Sequence, residues 1–256
     1  MQRVEQAWRL VFTGLAFALF GIGGVLLSIT VFPLLNVFVR DRDRRTSLAH
    51  AVVHWAFRAH VRYMVMFGVI SVEFKGGEKL EGDRGTLMVA NHPSLLDVVF
   101  LISVIKRAQC IVKYQIWRNP FMRGVVSASG FIRNDGDPET LVADCAADLA
   151  AGRNIVIFPE GSRTVPGEPM KLQRGVANIA VRTGAPIRLI TISCVPPSLM
   201  KGLKWYEIPP VRSHFTITIH ELIEMNSFMG DFSPSVAARH LNAYLLERLD
   251  GGIRVG

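Results

Sequence analysis

The stretch Thr86-Leu87-Met88-Val89-Ala90-Asn91-His92-Pro93-Ser94-Leu95-Leu96-Asp97 decides the fold. Its first five residues form an apolar, strand-like run. A corner follows at Asn91–Ser94, and Leu95 opens a helix-like run that continues to Lys106. Working outward, the same alternation recurs. Strands are expected at Ser71–Phe74, Thr86–Ala90, Gln109–Lys113, Gly130–Arg133, Asn154–Phe158, Ile187–Cys194 and Phe215–Ile219. Helices are expected at Leu95–Lys106, Pro138–Ala151, Arg174–Thr183 and Pro234–Leu249, the last with Ser233 as its cap and Pro234 at its first position. Such alternation predicts an α/β fold, with a mostly parallel central sheet flanked by helices.

The corner also carries chemistry. A carboxylate five residues after His92, Asp97, can hold the imidazole in one tautomer and stabilise the imidazolium, leaving the other ring nitrogen to take a proton from a hydroxyl. The chain has seven histidines, and only His92 has an aspartate at this offset. A second constellation, Phe158-Pro159-Glu160-Gly161-Ser162-Arg163-Thr164, follows another expected strand. Gly161 permits a tight turn and close approach of a ligand. Arg163 offers a planar fork of donors for phosphate, and Glu160 can accept from substrate hydroxyls or hold an arginine. In an open parallel sheet, ligands bind beyond the carboxyl ends of the strands, where both constellations fall. Arg133, in Ser129-Gly130-Phe131-Ile132-Arg133-Asn134-Asp135, and Lys113 also end strands; Lys171 and Arg174 can face the same cleft.

Composition sets the surroundings. Of 256 residues, 50% are hydrophobic and 20% charged, and the net charge is +8, a balance that favours membranes and anionic substrates. From Leu10 to Val39 there is no charged residue. This run exceeds the roughly 20 residues a membrane span needs. It is interrupted by Gly21, Gly23, Gly24 and Pro33, so a tilted transmembrane helix and a helical hairpin turning at the glycines both fit, whereas a signal peptide would be shorter and end at a cleavage site. Arg40–Arg45 holds four arginines and marks a cytoplasmic flank; Arg3 and Arg9 before the run favour the hairpin. Residues 1–46 are therefore expected as a membrane-anchoring segment with a basic linker, and 47–256 as the main domain. Cys110, Cys145 and Cys194 are widely spaced and form no CxxC, which indicates reduced, buried thiols in a chain facing the cytoplasm, with no disulfide framework and no metal site.

Ser47–Phe67 has helical periodicity, with His50, His54, Arg58 and Arg62 at steps of four. This stripe is expected to face headgroups or solvent. Lys201–Pro210, with Lys201, Lys204, Trp205 and Tyr206, is a basic-aromatic loop suited to a membrane interface.

Taken together, these residues resemble the lysophospholipid acyltransferase family, whose best-known members acylate 1-acylglycerol-3-phosphate. Asn91, His92 and Asp97 match its NHxxxxD signature. Phe158, Pro159, Glu160, Gly161 and Arg163 match FPEGTR, with Ser162 in place of threonine, and Gly184–Ile187 matches a later Gly-Ala-Pro-Ile block. The resemblance covers about Phe74 to Ile223. It implies that His92 is the base and Asp97 its partner, and that Glu160 and Arg163, with Gly161 and Ser162, help hold the acceptor. It further implies a membrane enzyme of the bacterial inner membrane with its site on the cytoplasmic side, using acyl-CoA or acyl carrier protein as co-substrate and no other cofactor. The middle block departs from the family: the usual Asp-Arg pair after its glycine is absent and Arg133 is shifted, which leaves the acceptor's phosphate contact open. Lys201–Pro210 resembles a bacterial subset found with aryl-polyene lipids, so an aryl-polyene or amino-lipid acceptor is the alternative.

The expected reaction is direct acyl transfer from a thioester to a lysolipid hydroxyl, most simply that of 1-acylglycerol-3-phosphate to give phosphatidic acid. No GxSxG, Walker A or complete GxGxxG pattern occurs, against serine hydrolases and nucleotide-binding enzymes. A non-catalytic basic membrane-binding protein would not need the two motifs in register. No nucleic-acid-binding module is recognisable.

Overall fold

The strand expected at Thr86–Ala90 is the centre of the sheet. It forms β2 (Leu87–Ala90), and all four residues are buried. Met88 and Ala90 point into one core layer and Leu87 and Val89 into the other, the period of two that a strand imposes. A strand buried on both faces reads as a continuous apolar run, as this one does.

The computed structural model describes residues 2–134, 136–165, 167–229 and 232–254. Before β2 come α1 (Gln2–Ile29), α2 (Val31–Phe38), α3 (Arg42–Met66), β1 (Ile70–Lys75) and a 3-10 turn at Gly77–Leu80. After it come α4 (Asp97–Val104), β3 (Ala108–Val112), α5 (Tyr114–Arg118), α6 (Pro120–Ala128), β4 (Ile132–Arg133), α7 (Pro138–Ala150) and β5 (Asn154–Ile157). The chain continues through α8 (Gly175–Thr183), β6 (Ile187–Val195), β7 (Ser213–Ile223), α9 (Asn226–Met229) and α10 (Pro234–Arg254). The sheet order is β1-β7-β6-β2-β5-β3-β4. Strands β6, β2, β5, β3 and β4 are mutually parallel; β7 runs antiparallel to β6, and β1 is parallel to β7. The expected mostly parallel sheet flanked by helices is thus the observed one, and the carboxyl ends of five strands share one edge.

One layer packs α3, α4 and α6 against the sheet around Phe100, Phe215, Val53 and Val126; the other packs α7, α8 and α10 around Ile155, Ile179, Leu241 and Leu245. Each fully buried aliphatic or aromatic side chain here contributes about 1.5–3 kcal/mol relative to exposure. The non-catalytic edge is clamped by a buried ion pair. Arg188 donates to both Asp83 oxygens at 2.8 and 2.6 Å, and to the Lys79 and His220 carbonyls.

Several expectations change. The helix after His92 begins at Asp97 rather than Leu95, because the carboxylate of Asp97 folds back to accept from Ser94 N at 2.7 Å and closes a turn first. The strand at Gly130–Arg133 shrinks to two residues, since Gly130 sits at φ +60. Asp135, in the same block, lies outside the described residues. The glycines do not turn a hairpin: α1 runs unbroken through Gly21, Gly23 and Gly24, and the chain reverses between α2 and α3. Nor is Arg40–Thr46 a linker throughout. Asp41 caps α3 by accepting from Arg44 N, so Arg42 onward is already helical.

The stripe on α3 is only half solvated. Arg58 and Arg62 are exposed, but His50 and His54 are buried. His50 Nε2 donates to the Ser129 carbonyl and His54 Nδ1 to the Ile102 carbonyl, each at 2.8 Å. Those carbonyls lie at the ends of α6 and α4, where no helical partner remains for them. Burial pushes the His50 pKa down and keeps the ring neutral.

Candidate active site

The shared sheet edge brings the two motifs together. His92 leaves β2 and the Phe158–Arg163 loop leaves β5, its paired neighbour. His92 Nδ1 and Asp97 Oδ2 are 2.8 Å apart. Asp97 is fully buried, while the His92 side chain remains 17% exposed. The dyad therefore has an inner, dry carboxylate and an outer ring whose Nε2 is left for a substrate. Phe158 stacks on the imidazole with centroids 4.2 Å apart, fixing its plane. Burial pushes the Asp97 carboxyl up to about 6, against the opposing effect of the His92 bond and the Ser94 N–H.

The motifs are latched through the backbone. Glu160 Oε1 accepts from His92 N at 2.8 Å and from Thr164 Oγ1 at 2.9 Å. Thr164 N donates to the His92 carbonyl at 2.7 Å. Both backbone groups of His92 are thus held by the second loop, and the Glu160 carboxylate buttresses His92. Asn91, fully buried, pins the other side: its amide donates to Ile192 O at 2.8 Å and accepts from Ile192 N at 2.7 Å. Asn91, Phe158 and Thr164 were quoted within the motifs, but their roles are three-dimensional. Only the neighbouring strands β5 and β6 reveal what they hold.

His92, Lys113, Glu160, Gly161, Ser162 and Arg163 all line one cavity of about 1270 Å³, as does Arg174. Gly161 has φ +67, a conformation costly for residues with a Cβ. Ser162 Oγ donates only weakly, to Arg163 O at 3.4 Å. Arg163 Nη1 donates to the Leu199 and Met200 carbonyls at 3.0 and 3.3 Å, tying down the loop after β6. Arg133 is not part of that lining; its guanidinium lies over the Tyr114 and Trp117 rings at 5.3 and 5.6 Å. Lys171 is exposed and also outside it. The remaining wall is largely apolar, contributed by Phe17 and Phe20 of α1, Phe57 and Met64 of α3, and Val112 and Val126 near β3 and α6. Cys110 is in this wall too, but burial pushes its thiol up to about 12, so it stays protonated.

An imidazole held by a buried carboxylate, beside a long apolar chamber, is an arrangement that can take a proton from a hydroxyl on an amphiphile. The comparisons place it. The family model described as Acyltransferase matches residues 71–194, a span containing both motifs. The 1-acyl-sn-glycerol-3-phosphate acyltransferase BAT2, chloroplastic, of Brassica napus is 28% identical over 66% of this chain and 48% of its own length. The 1-acyl-sn-glycerol-3-phosphate acyltransferase of Helicobacter pylori is 29% identical over 57% of this chain and 61% of its own. The matched part thus spans about half to three-fifths of these relatives. The crystal structure of the 1-acyl-sn-glycerophosphate acyltransferase PlsC from Thermotoga maritima superposes with a TM-score of 0.73 at 18% identity, covering 99% of this chain and 97% of that one, and shares the fold. The chain is thus similar to 1-acyl-sn-glycerol-3-phosphate acyltransferases, and these matches support an O-acyltransferase enzyme.

Proposed function

We propose that the protein transfers a fatty acyl group from an acyl thioester to the free hydroxyl of a membrane lysolipid, most simply 1-acylglycerol-3-phosphate, forming phosphatidic acid. The observation that carries this reading is the His92–Asp97 contact of 2.8 Å at a cavity that is also walled by apolar residues of α1 and α3. His92 Nε2 takes the hydroxyl proton as the oxygen attacks the thioester carbonyl. The C–S bond breaks as the C–O bond becomes an ester, and the imidazolium returns its proton to the departing thiolate. Asp97 stabilises the imidazolium between these steps. The oxyanion formed in passing needs a donor or a cation; Lys113, in the same wall, is the nearest chemical fit by charge. The acyl chain fits the apolar wall at Val112, Val126 and Phe131. No covalent acyl-enzyme is required.

The reading extends to location. Gln2–Phe38 is long and apolar enough to cross a membrane. Its outward residues Trp8, Val11, Leu15, Leu19, Ile22 and Leu26 recur at steps of three and four and are exposed. Its inner side packs on the domain along much of its length: Phe12 stacks on Phe67, Phe20 meets Phe57, and Ser28 touches Gly124. A helix docked on the domain at both ends is suited to lying in one leaflet with its outward stripe in lipid. We place the protein at the cytoplasmic face of a bacterial inner membrane, with acyl-CoA or acyl carrier protein as donor.

The test uses purified protein in mixed micelles, radiolabelled acyl-CoA and acyl carrier protein in separate arms, and lysophosphatidic acid. Labelled phosphatidic acid from the native protein, absent with His92→Ala, is expected. No transfer from either donor, with an intact fold, would sink the reading.

A further inference from the structure

Helix α1 buries a cation where its neighbours are apolar. Arg9 directly precedes the uncharged run, yet it is 6% exposed and lines the same cavity as His92. Its Nη2 donates to the Pro209 and Pro210 carbonyls at 3.0 and 2.7 Å. Its Nε is enclosed and has no acceptor among the described residues. Both acceptors it does have are neutral, so the guanidinium charge has no counter-ion among its hydrogen-bond partners. A buried charge left in that state is strongly unfavourable, and an arriving anion relieves it.

The surroundings fit an oxyanion. Ser213 lines the cavity, is 2% exposed, and its hydroxyl has no nitrogen or oxygen partner among the described residues. Lys201 stands in the same wall. Of the other arginines that sequence offered for phosphate, Arg163 lines the cavity but commits Nη1 to the Leu199 and Met200 carbonyls, and Arg133 covers two aromatic rings outside it. Depth also agrees. Arg9 lies at the polar end of α1 beside Trp8, and the loop it holds carries Lys204, Trp205 and Tyr206, the residue types that mark the headgroup level of a bilayer.

We propose that Arg9, with Ser213 and Lys201, binds the phosphate monoester of the lysolipid acceptor, so that the headgroup is held by the membrane helix. This rests on the acyl-transfer reading for the identity of the lipid, but the site itself is testable by binding alone. The probe is hexadecyl phosphate, which cannot react, and the control is uncharged 1-O-hexadecylglycerol, each titrated into detergent-solubilised full-length protein. Arg9→Gln keeps a donor for the proline carbonyls and removes the charge. It is expected to weaken hexadecyl phosphate binding about tenfold or more while changing the glycerol ether about twofold or less. Arg9→Lys is expected to recover much of the loss. Ser213→Ala, which removes a hydroxyl with no internal nitrogen or oxygen partner, is expected to weaken the phosphate probe about threefold. Native-like phosphate binding by both Arg9→Gln and Ser213→Ala overturns the proposal. So does an equal loss of both probes in Arg9→Gln, which would leave Arg9 as a strap for the loop. If the native protein binds the phosphate through Arg9 but acylates no lysophosphatidic acid, the acyl-transfer reading falls and the phosphate site stands.

Discussion

His92 and His54 are both held by a 2.8 Å bond through Nδ1, yet the proposed function gives them opposite roles. The partner of His54 is a neutral carbonyl at a helix end, deep in the core. The partner of His92 is a carboxylate, and the ring keeps an open side toward a cavity. A carbonyl can only fix a ring in place, whereas a carboxylate can also stabilise the charge the ring acquires on taking a proton. Partner chemistry and access separate the proposed base from the structural histidine.

The largest effect should come from the base. Transfer by His92→Ala is expected to fall about 10²–10⁴-fold, since that is what a positioned proton acceptor supplies. Circular dichroism and thermal midpoint should stay close to native, because the ring is part-exposed. A variant retaining near-native turnover breaks the comparison.

Next is the carboxylate. Asp97→Asn keeps the shape but cannot stabilise the imidazolium, so a loss of about 10²-fold or more is expected. Stability should move the other way. The folded carboxyl titrates at about 6, above its unfolded value of about 3.9. Its favourable contribution is therefore complete below the unfolded value and is lost as pH rises through about 6. The asparagine variant escapes that loss, so its melting-temperature advantage over the native protein should grow from pH 4 to 7. Native transfer should decline as pH falls through about 6, as Asp97 becomes protonated. A variant equally or less stable at pH 7 than at pH 4, relative to native, would show that the buried charge is compensated within the fold.

What the chain reveals by itself follows the range of the forces involved. Strands such as Leu87–Ala90 were legible because burial on both faces leaves an unbroken apolar run. The dyad was legible because His92 and Asp97 sit five residues apart on one corner. Glu160 was found, but its bond to His92 was not: its carboxylate meets His92 N across 68 positions of chain, a contact set by the β2–β5 register and invisible to local spacing. The α3 stripe misled for the same reason, since helical periodicity shows which residues share a face but not what packs on it. The unpaired charge of Arg9 had no local signal beyond its place beside an apolar run.

Glu160 gives a smaller, sharper contrast. As a buttress it needs an acceptor oxygen, not a charge. Glu160→Gln is therefore expected to keep transfer within about threefold of native, and Glu160→Ala to lower it about tenfold or more, with the deficit in kcat. A carboxylate that bound the acceptor directly would show comparable losses in both variants, expressed in KM. Thr164→Val, which removes the second donor to Oε1, should fall between them.

The smallest effect on chemistry is expected at the structural histidines, and it completes the comparison. Removing His54 leaves the buried Ile102 carbonyl without its donor and opens space in the α3–α4 interface. Each cost is about 1–3 kcal/mol, so His54→Ala should lower the unfolding free energy by a few kcal/mol. Transfer per folded molecule should stay within about twofold of native at temperatures well below the melting transition. His54→Gln offers a shorter donor to the same carbonyl and should restore part of the stability. If His54→Ala instead abolished transfer in a folded, stable protein, the distinction between a ring bound to a carbonyl and a ring bound to a carboxylate would no longer identify the base.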